Sequence, residues 1–207
     1  TDIDAEAREL AKACVAAFDA DFRIGTQLPQ DERFDYLTAI EVLEHLPDPL
    51  ADLRSWLCHL KVGGIVIASV PAFHRLWGRS DEWAGHVQRF EPAEFANLME
   101  TAGLRVLSTH LWGFPLASLT RHASGIAARI KMSRRGRGMD RASATRASGH
   151  DRSIESMLRK ILLTGAFRAV LRAGTQLQRR ADGRHRGVGV IVVARKEHDA
   201  RTAANDV

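Results

Sequence analysis

Cysteine and long apolar runs are both scarce in this chain of 207 residues. The two cysteines, Cys14 and Cys58, lack the spacing of a zinc motif and are too few for a disulfide scaffold. Both lie in apolar helical patterns, so we expect buried free thiols and a reducing compartment. No run reaches the about 18 apolar residues of a membrane-spanning helix. With 45% hydrophobic residues, the composition is typical of one globular domain.

Acidic and basic residues are unevenly distributed along the chain. Residues 1–120 contain 10 Lys and Arg against 18 Asp and Glu, a net charge of −8, whereas residues 121–207 contain 20 against 7, a net charge of +13. The basic half could contact anionic lipid, nucleic acid or an acidic substrate, or it could be an arginine-rich solvated surface. No nucleic-acid-binding motif or aromatic interleaving supports a nucleic-acid partner.

Two continuous apolar stretches flank an amphipathic segment in the first half of the chain. Residues 34–40 are short and apolar enough to form a strand that is buried on both faces. Residues 48–60 predict a helix and residues 65–70 a second strand. A strand, a helix and a strand at this spacing form a βαβ unit with parallel strands. A helix over 92–102 and strands over 104–110 and 187–194 continue an α/β pattern.

Three polar residues follow the first predicted strand: Glu41, Glu44 and His45. Open α/β sheets bind ligands at the carboxyl ends of their strands. The spacing i, i+3 and i+4 would place the three side chains on one face of a helical turn, where they could hold a divalent cation. The alternative is that the carboxylates position a cofactor and bond the helix end, with His45 as a capping residue.

Residues 71–91, after the second predicted strand, form a long loop rich in aromatic and ionisable residues, as functional loops often are. His86 is the candidate general base, because histidine titrates near neutral pH. The candidate substrate contacts are Phe73, Trp77, Asp81 and Arg89. Alternatively, Asp81, His86 and Arg89 form a hydrogen-bonded brace that holds the loop closed, and the sequence does not choose between these roles.

The basic half divides into segments of different composition. Residues 133–152 are rich in Arg, Gly and Ser and predict a flexible basic linker. Residues 154–177 predict an amphipathic helix, which could lie on a membrane surface or pack on the sheet edge. We therefore expect a partial domain core over 1–132, the linker over 133–152, a helix and last strand of the same domain over 153–195, and a tail over 196–207.

The stretch FDYLTAIEVLEHLPDP (34–49) resembles the fourth-strand motif of class I S-adenosylmethionine-dependent methyltransferases, in particular the subgroup of ubiquinone-biosynthesis O-methyltransferases. LKVGGIVIASVPAF (60–73) resembles that family's fifth strand, and residues 76–106 resemble the loop and helix that follow. The resemblance implies a Rossmann-like α/β sheet with helices on both faces and an antiparallel last strand. The family's first strand and Gly-rich loop have no counterpart, since no G-x-G-x-G occurs, so we expect an N-terminally truncated domain.

The resemblance also implies roles for individual residues. Asp2 matches the acidic residue that accepts hydrogen bonds from the cofactor's ribose, and Ile3 follows it. Thr26 and Gln27 occupy the region of the adenine contact, where Gln27 either makes that contact or belongs to a plain loop. Residues matching the magnesium-associated positions of the ubiquinone-pathway enzymes are Glu41, Glu44 and His45, where Mg²⁺ could polarise an acceptor hydroxyl. Ile40 and Glu41 match positions that border the cofactor.

These implied roles predict a cytoplasmic enzyme that transfers a methyl group from S-adenosylmethionine to a small-molecule acceptor, with oxygen as the expected acceptor atom. Its basic C-terminal half is a candidate for peripheral membrane contact. The alternative is a catalytically inactive, methyltransferase-like interaction module, in which the basic half contacts anionic lipid, nucleic acid or a protein partner.

Overall fold

A computed structural model describes residues 5–15, 27, 31–115, 117–118, 165–181 and 186–198. The strands are β1 (Phe34–Ile40), β2 (Leu60–Pro71), β3 (Leu104–Trp112) and β4 (Gly189–Lys196). The helices are α1 (Ala5–Val15), α2 (Pro49–Leu57), α3 (Arg79–Ala84), α4 (Pro92–Thr101) and α5 (Gly165–Ala181), with 3₁₀ turns at Leu43–His45 and His74–Leu76. The predicted linker over 133–152 lies outside the described residues.

The four strands form one mixed sheet in the order β1-β2-β4-β3. β1 pairs parallel with β2, which confirms the βαβ unit, and β4 inserts antiparallel between β2 and β3. The α/β sheet with an antiparallel last strand is therefore confirmed. Because β1 and β2 run the same way, their carboxyl ends meet at one edge of the sheet, beside the pair Ile40 and Ser69.

The connection between α2 and β2 is shorter than the sequence predicts. The helix begins at Pro49, with the Asp48 carboxylate accepting a hydrogen bond from the Ala51 N–H (3.0 Å), and it ends at Leu57 rather than near residue 60. Lys196 is buried at this point, and its Nζ donates to the carbonyls of Leu57 (3.0 Å) and Leu60 (2.9 Å). The last strand thus satisfies carbonyls at the helix end, which allows β2 to begin at once.

Apolar side chains of α2 and α4 pack with one face of the sheet in a single core. Leu53 of α2 and both Phe95 and Met99 of α4 are completely buried. The strands contribute small and β-branched side chains to the same cluster: Ala39, Val66, Ala68, Val70, Val190, Val192 and Ala194. Burying apolar area of this kind is the dominant favourable contribution to folding. The core includes Ala39 of β1 and Val70 of β2, which lie next to the carboxyl ends of these two strands.

Two burial predictions are wrong. Tyr36 and Ile40 of β1 are 68% and 54% exposed, so β1 is not buried on both faces among the described residues. Both residues point to the same side of the sheet, because side chains alternate along a strand. Cys14 and Cys58 are free, as expected, but both are exposed rather than buried. An apolar pattern specifies a strand or helix, whereas burial also requires an element that covers it.

The C-terminal helix differs from its prediction in length and position. α5 continues to Ala181, beyond the predicted end at residue 177, and the described part begins at Gly165. The Gln178 amide donates to the Leu111 carbonyl (2.9 Å) and accepts from the Phe114 N–H (2.6 Å). This side chain fixes α5 to the end of β3, which favours packing on the sheet edge. No described helix is long and apolar enough to cross a membrane.

Candidate functional site

The carboxyl end of β1 turns sharply at Glu41. Glu41 has a φ of 54°, a conformation that costs a non-glycine residue about 1–3 kcal/mol and persists only where its surroundings hold it. Here the Glu41 N–H donates to the Ser69 carbonyl (3.0 Å), and the Ser69 hydroxyl donates to Glu41 Oε1 (2.9 Å). β2 therefore holds both the backbone and the side chain of Glu41 at the edge of the sheet.

This bend overturns the prediction that Glu41, Glu44 and His45 share one helical face. The 3₁₀ turn covers only Leu43–His45, and Glu41 lies before it with its side chain bonded to Ser69. The structure instead gathers the ligand atoms of Glu44, His45 and His86 within 4.8 Å of one another. A metal role for Glu41, Glu44 and His45 stays a prediction, and the three ligand atoms that the structure brings together take one member, His86, from residues 71–91.

Residues 71–91 are more ordered than the predicted loop, because they contain the 3₁₀ turn His74–Leu76 and the helix α3. The segment is closed at its base, where the Phe73 N–H donates to the Phe90 carbonyl (2.8 Å) and the Phe90 N–H donates to the Pro71 carbonyl (3.2 Å). Phe73 is buried and has a φ of 66°, so the chain turns sharply here as well. Both strand ends at this edge thus carry a residue in a left-handed conformation.

Asp81 is the centre of a hydrogen-bond network beneath this segment. Its carboxylate accepts from the Gly78 N–H (2.8 Å), Arg89 Nε (2.8 Å) and His86 Nδ1 (2.9 Å). Arg89 also donates from Nη1 to the Ala72 carbonyl (2.9 Å). Burial opposes ionisation of Asp81, but the hydrogen bonds from His86 and Arg89 prevail and lower its pKa. Asp81 is therefore an ionised, fully partnered carboxylate.

This network favours the brace over substrate contact for two of the four candidate substrate residues. Asp81 and Arg89 are 1% and 8% exposed, and their polar atoms face each other and the backbone. Phe73 is also buried, whereas Trp77 is 41% exposed. A substrate role for these four residues stays a prediction, and Trp77 is the member whose surface a ligand can reach.

Two imidazoles face Glu44 from different segments. The Nε2 atoms of His45 and His86 each lie 3.8 Å from Glu44 Oε1, and the two rings are arranged edge to face with centroids 4.8 Å apart. His45 Nδ1 donates to the Gly85 carbonyl (3.4 Å), because a carbonyl oxygen can only accept. Burial and the neighbouring His86 lower the pKa of His45, which favours the neutral ring. In both histidines, Nδ1 is thus the donor and Nε2 points to Glu44.

Glu44 is completely buried, and neither of its carboxylate oxygens has a hydrogen-bond partner. Its backbone is fixed, since the Val87 N–H donates to the Glu44 carbonyl (2.9 Å). Burial, reinforced by the charge of Glu41, raises the pKa of Glu44 to about 8. Burial also raises the pKa of Glu41, although the Ser69 hydrogen bond opposes the shift. A buried carboxyl without a donor is rare in proteins and requires an explanation.

The remaining predicted site residues are less informative. Asp2, Ile3 and Thr26 lie outside the described residues, and Gln27 is exposed. Ile40 is half exposed at the carboxyl end of β1, next to Glu41. The roles of these residues toward a cofactor stay predictions.

Sequence reasoning missed Ser69 and the convergence of His45 with His86. Ser69 is the last polar residue of an apolar strand and lies at the edge where ligands bind. A polar residue at that position predicts a role in the site. The approach of the two histidines depends on the fold of residues 71–91, which carries no local sequence signal.

A mixed sheet with a parallel pair, an antiparallel inserted strand and a polar carboxyl edge is the architecture of a class I methyltransferase. A family model described as a methyltransferase domain matches residues 1–109, which is more than half of the chain. The chain therefore belongs to the methyltransferase-domain family, whose class uses S-adenosylmethionine as methyl donor. No curated protein matches the sequence significantly.

Several solved structures share this fold at low sequence identity. The chain resembles a protein from Bacillus halodurans proposed to be a methyltransferase (TM-score 0.53, 13% identity), with 94% of this chain and 80% of that one covered. It resembles a proposed sarcosine dimethylglycine methyltransferase from Galdieria sulphuraria (TM-score 0.52, 15% identity), with 94% of this chain and 68% of that one covered. It also resembles a chain in the Haloferax volcanii complex of the Trm112 methyltransferase activator with a proposed methyltransferase (TM-score 0.51, 18% identity), with 95% of this chain and 70% of that one covered. At such identities, the likeness shows the fold alone.

Proposed function

We propose that this methyltransferase-domain chain methylates an oxygen of a small-molecule acceptor at the carboxyl edge of β1 and β2. The observation that carries the proposal is the Asp81–His86 pair, whose imidazole points to the buried carboxyl group at that edge. Glu41 and the half-exposed Ile40 lie at the same edge, in the positions that the family resemblance assigns to the cofactor border. Cofactor and acceptor would therefore meet beside His86.

His86 is oriented for proton transfer. Asp81 accepts from Nδ1 and fixes the tautomer, so that the Nε2 lone pair is the proton-accepting site. The ionised Asp81 also stabilises the imidazolium that forms when Nε2 takes the proton of an acceptor hydroxyl. Bound S-adenosylmethionine supplies an electrophilic methyl group, so an oxygen acceptor needs little more than alignment, deprotonation and exclusion of water.

A methyl-transfer assay against a panel of small-molecule acceptors tests the proposal. Phenolic and catecholic hydroxyls should be methylated in preference to matched amines. His86→Asn should lower kcat by about 100-fold to 10,000-fold, as loss of a general base does. His74→Asn is the matched control, because His74 is exposed and pairs with Glu94 (2.8 Å) outside the cluster. Equal rates for the two variants, or a preference for amines, would overturn the proposal.

The alternative interaction module makes a different prediction. A module that lacks the cofactor pocket would bind neither S-adenosylmethionine nor S-adenosylhomocysteine, yet it would still fold. Cytoplasmic localisation and peripheral membrane contact stay predictions. On the described part of α5, Leu171 and Leu177 are exposed beside arginines, and these side chains are the ones to test for lipid contact.

A further inference from the structure

Glu44 is completely buried, and its two carboxylate oxygens have no hydrogen-bond donor. The Nε2 atoms of His45 and His86 each lie 3.8 Å from Oε1, beyond hydrogen-bonding distance. A neutral imidazole that donates from Nδ1, as both rings do here, carries a lone pair on Nε2. One carboxylate oxygen and two imidazole nitrogens thus lie within 4.8 Å of one another. A cation among these atoms would give the Glu44 oxygens the partner that they lack.

We infer that Glu44, His45 and His86 form a binding site for a divalent transition metal such as Zn²⁺. Each residue contributes one ligand atom, and all three atoms lie within 4.8 Å of one another. Ligands of a tetrahedral zinc ion are separated by about 3.3–3.5 Å, so the group must contract by about 0.5–1.5 Å on binding. Side-chain rotation at the two partly exposed histidines can supply a movement of this size.

The surroundings of the two histidines match those of metal-binding imidazoles. Such rings almost always donate their second N–H to a carboxylate or a backbone carbonyl, which fixes the tautomer and raises ligand basicity. Here Asp81 is the carboxylate for His86, and the Gly85 carbonyl is the acceptor for His45. Arg89 and the Gly78 N–H hold Asp81 in turn. The site therefore has its supporting hydrogen bonds in place.

The ligand set favours zinc over the magnesium that the family resemblance implies. Two imidazole nitrogens and one carboxylate are typical of zinc and related ions, whereas magnesium prefers an octahedron of oxygens. The oxygen-rich alternative would need Glu41, whose carboxylate instead accepts the Ser69 hydroxyl. Three protein ligands leave a fourth position for water or an acceptor oxygen.

The role of the metal, but not its binding, rests on the proposed function. A metal ion at Nε2 would occupy the lone pair that His86 needs as a base. The ion would then activate the acceptor hydroxyl directly, by lowering its pKa. The metal-bound and metal-free proteins should consequently differ in how methyl transfer depends on His86.

Calorimetric titration of chelator-treated protein with ZnCl₂ and MgCl₂ tests the inference, together with the visible spectrum of the CoCl₂ complex. We expect one Zn²⁺ per chain, much weaker Mg²⁺ binding and the intense absorption of tetrahedral Co²⁺. Glu44→Gln and His86→Gln should each weaken Zn²⁺ binding by more than about 100-fold, and Asp81→Asn by about 10-fold to 100-fold. His74→Gln should bind as the wild type does. Circular dichroism confirms that each variant is folded.

Three results would overturn the metal site: no Zn²⁺ binding by the wild type, unchanged binding by folded Glu44→Gln, or equal loss in His74→Gln. Titrating S-adenosylhomocysteine into the same samples separates this inference from the proposed function. Cofactor binding without Zn²⁺ binding removes only the metal site. Zn²⁺ binding without cofactor binding leaves the metal site and contradicts methyl transfer.

Discussion

Asp81 and Glu44 are both buried carboxyl groups, and their environments are opposite. Asp81 accepts three hydrogen bonds, two of them from Arg89 and His86, and its pKa is lowered. Glu44 accepts none, and burial together with Glu41 raises its pKa to about 8. A fully partnered carboxylate stabilises the fold, whereas an unpartnered one is stabilised only when something binds it. The first group therefore builds the site, and the second receives a ligand.

The largest effect on stability should come from breaking the partnered carboxylate. Asp81→Asn leaves Arg89 buried without its counter-charge, and breaking a buried ion pair costs about 3–5 kcal/mol of unfolding free energy. Urea denaturation measures this cost. Asp35→Asn is the control, because its exposed pair with Lys61 (2.9 Å) should contribute only about 0.2–1 kcal/mol. Similar losses in both variants would show that the network around Asp81 does not stabilise the fold.

Zinc should supply the partner that Glu44 lacks. At a free concentration of 100 times its dissociation constant, a ligand that binds only the folded state raises the unfolding free energy by about 2.7 kcal/mol. We expect this stabilisation in the wild type and its absence in Glu44→Gln, measured by urea denaturation with and without ZnCl₂. Equal stabilisation of both proteins would place the ion elsewhere.

The two carboxyl groups should also respond to pH in opposite directions in metal-free protein. The folded-state pKa of Glu44 is raised. Its contribution to the unfolding free energy is therefore fully present below the ordinary pKa near 4.5 and is lost as pH rises toward about 8. The folded-state pKa of Asp81 is lowered, so its contribution is present above the ordinary value of 3.8 and is lost as pH falls below it.

Urea denaturation at pH 5 and pH 8.5, in the presence of a chelator, isolates the contribution of Glu44. The unfolding free energy of the wild type should fall by on the order of 2 kcal/mol from pH 5 to pH 8.5. Glu44→Gln should lose less, because an amide does not titrate in this range. If the variant retains the full pH dependence, another group is responsible.

The smallest effect on stability should come from Ser69, whose hydroxyl bonds the Glu41 side chain away from Glu44, His45 and His86. Ser69→Ala removes the hydroxyl that Glu41 accepts, at a cost of about 1 kcal/mol. Ser55→Ala is the matched control, since the Ser55 hydroxyl donates to the Asp52 carbonyl on an exposed helix surface and should contribute little. Thermal or urea denaturation compares the two. A loss no larger than that of Ser55→Ala would mean that Ser69 does not hold Glu41.

Much of this architecture could be predicted because its signals are local. The continuous apolar run of β1, Asp48 and Pro49 at the start of α2, and Pro92 at the start of α4 each specify an element from adjacent residues. The α/β class then follows from the order of the elements.

The site could be predicted only in part, because its geometry depends on contacts between distant segments. The sequence predicts functional roles for Glu44, His45 and His86, but it does not predict that these three residues form one group. Glu41 leaves the predicted helical face because Ser69, on another strand, holds it in a left-handed conformation. His86 approaches His45 because Asp81 and Arg89 fix the intervening segment. No periodicity within one segment encodes such contacts.

Calorimetric titration of S-adenosylhomocysteine into the purified chain tests the central claim most directly, since a methyltransferase must bind the product form of its cofactor. We predict one molecule bound per chain with a micromolar dissociation constant, and unchanged binding by the control variant His74→Gln. A folded protein that binds no S-adenosylhomocysteine, even at millimolar concentration, would contradict the assignment of methyl transfer to this chain.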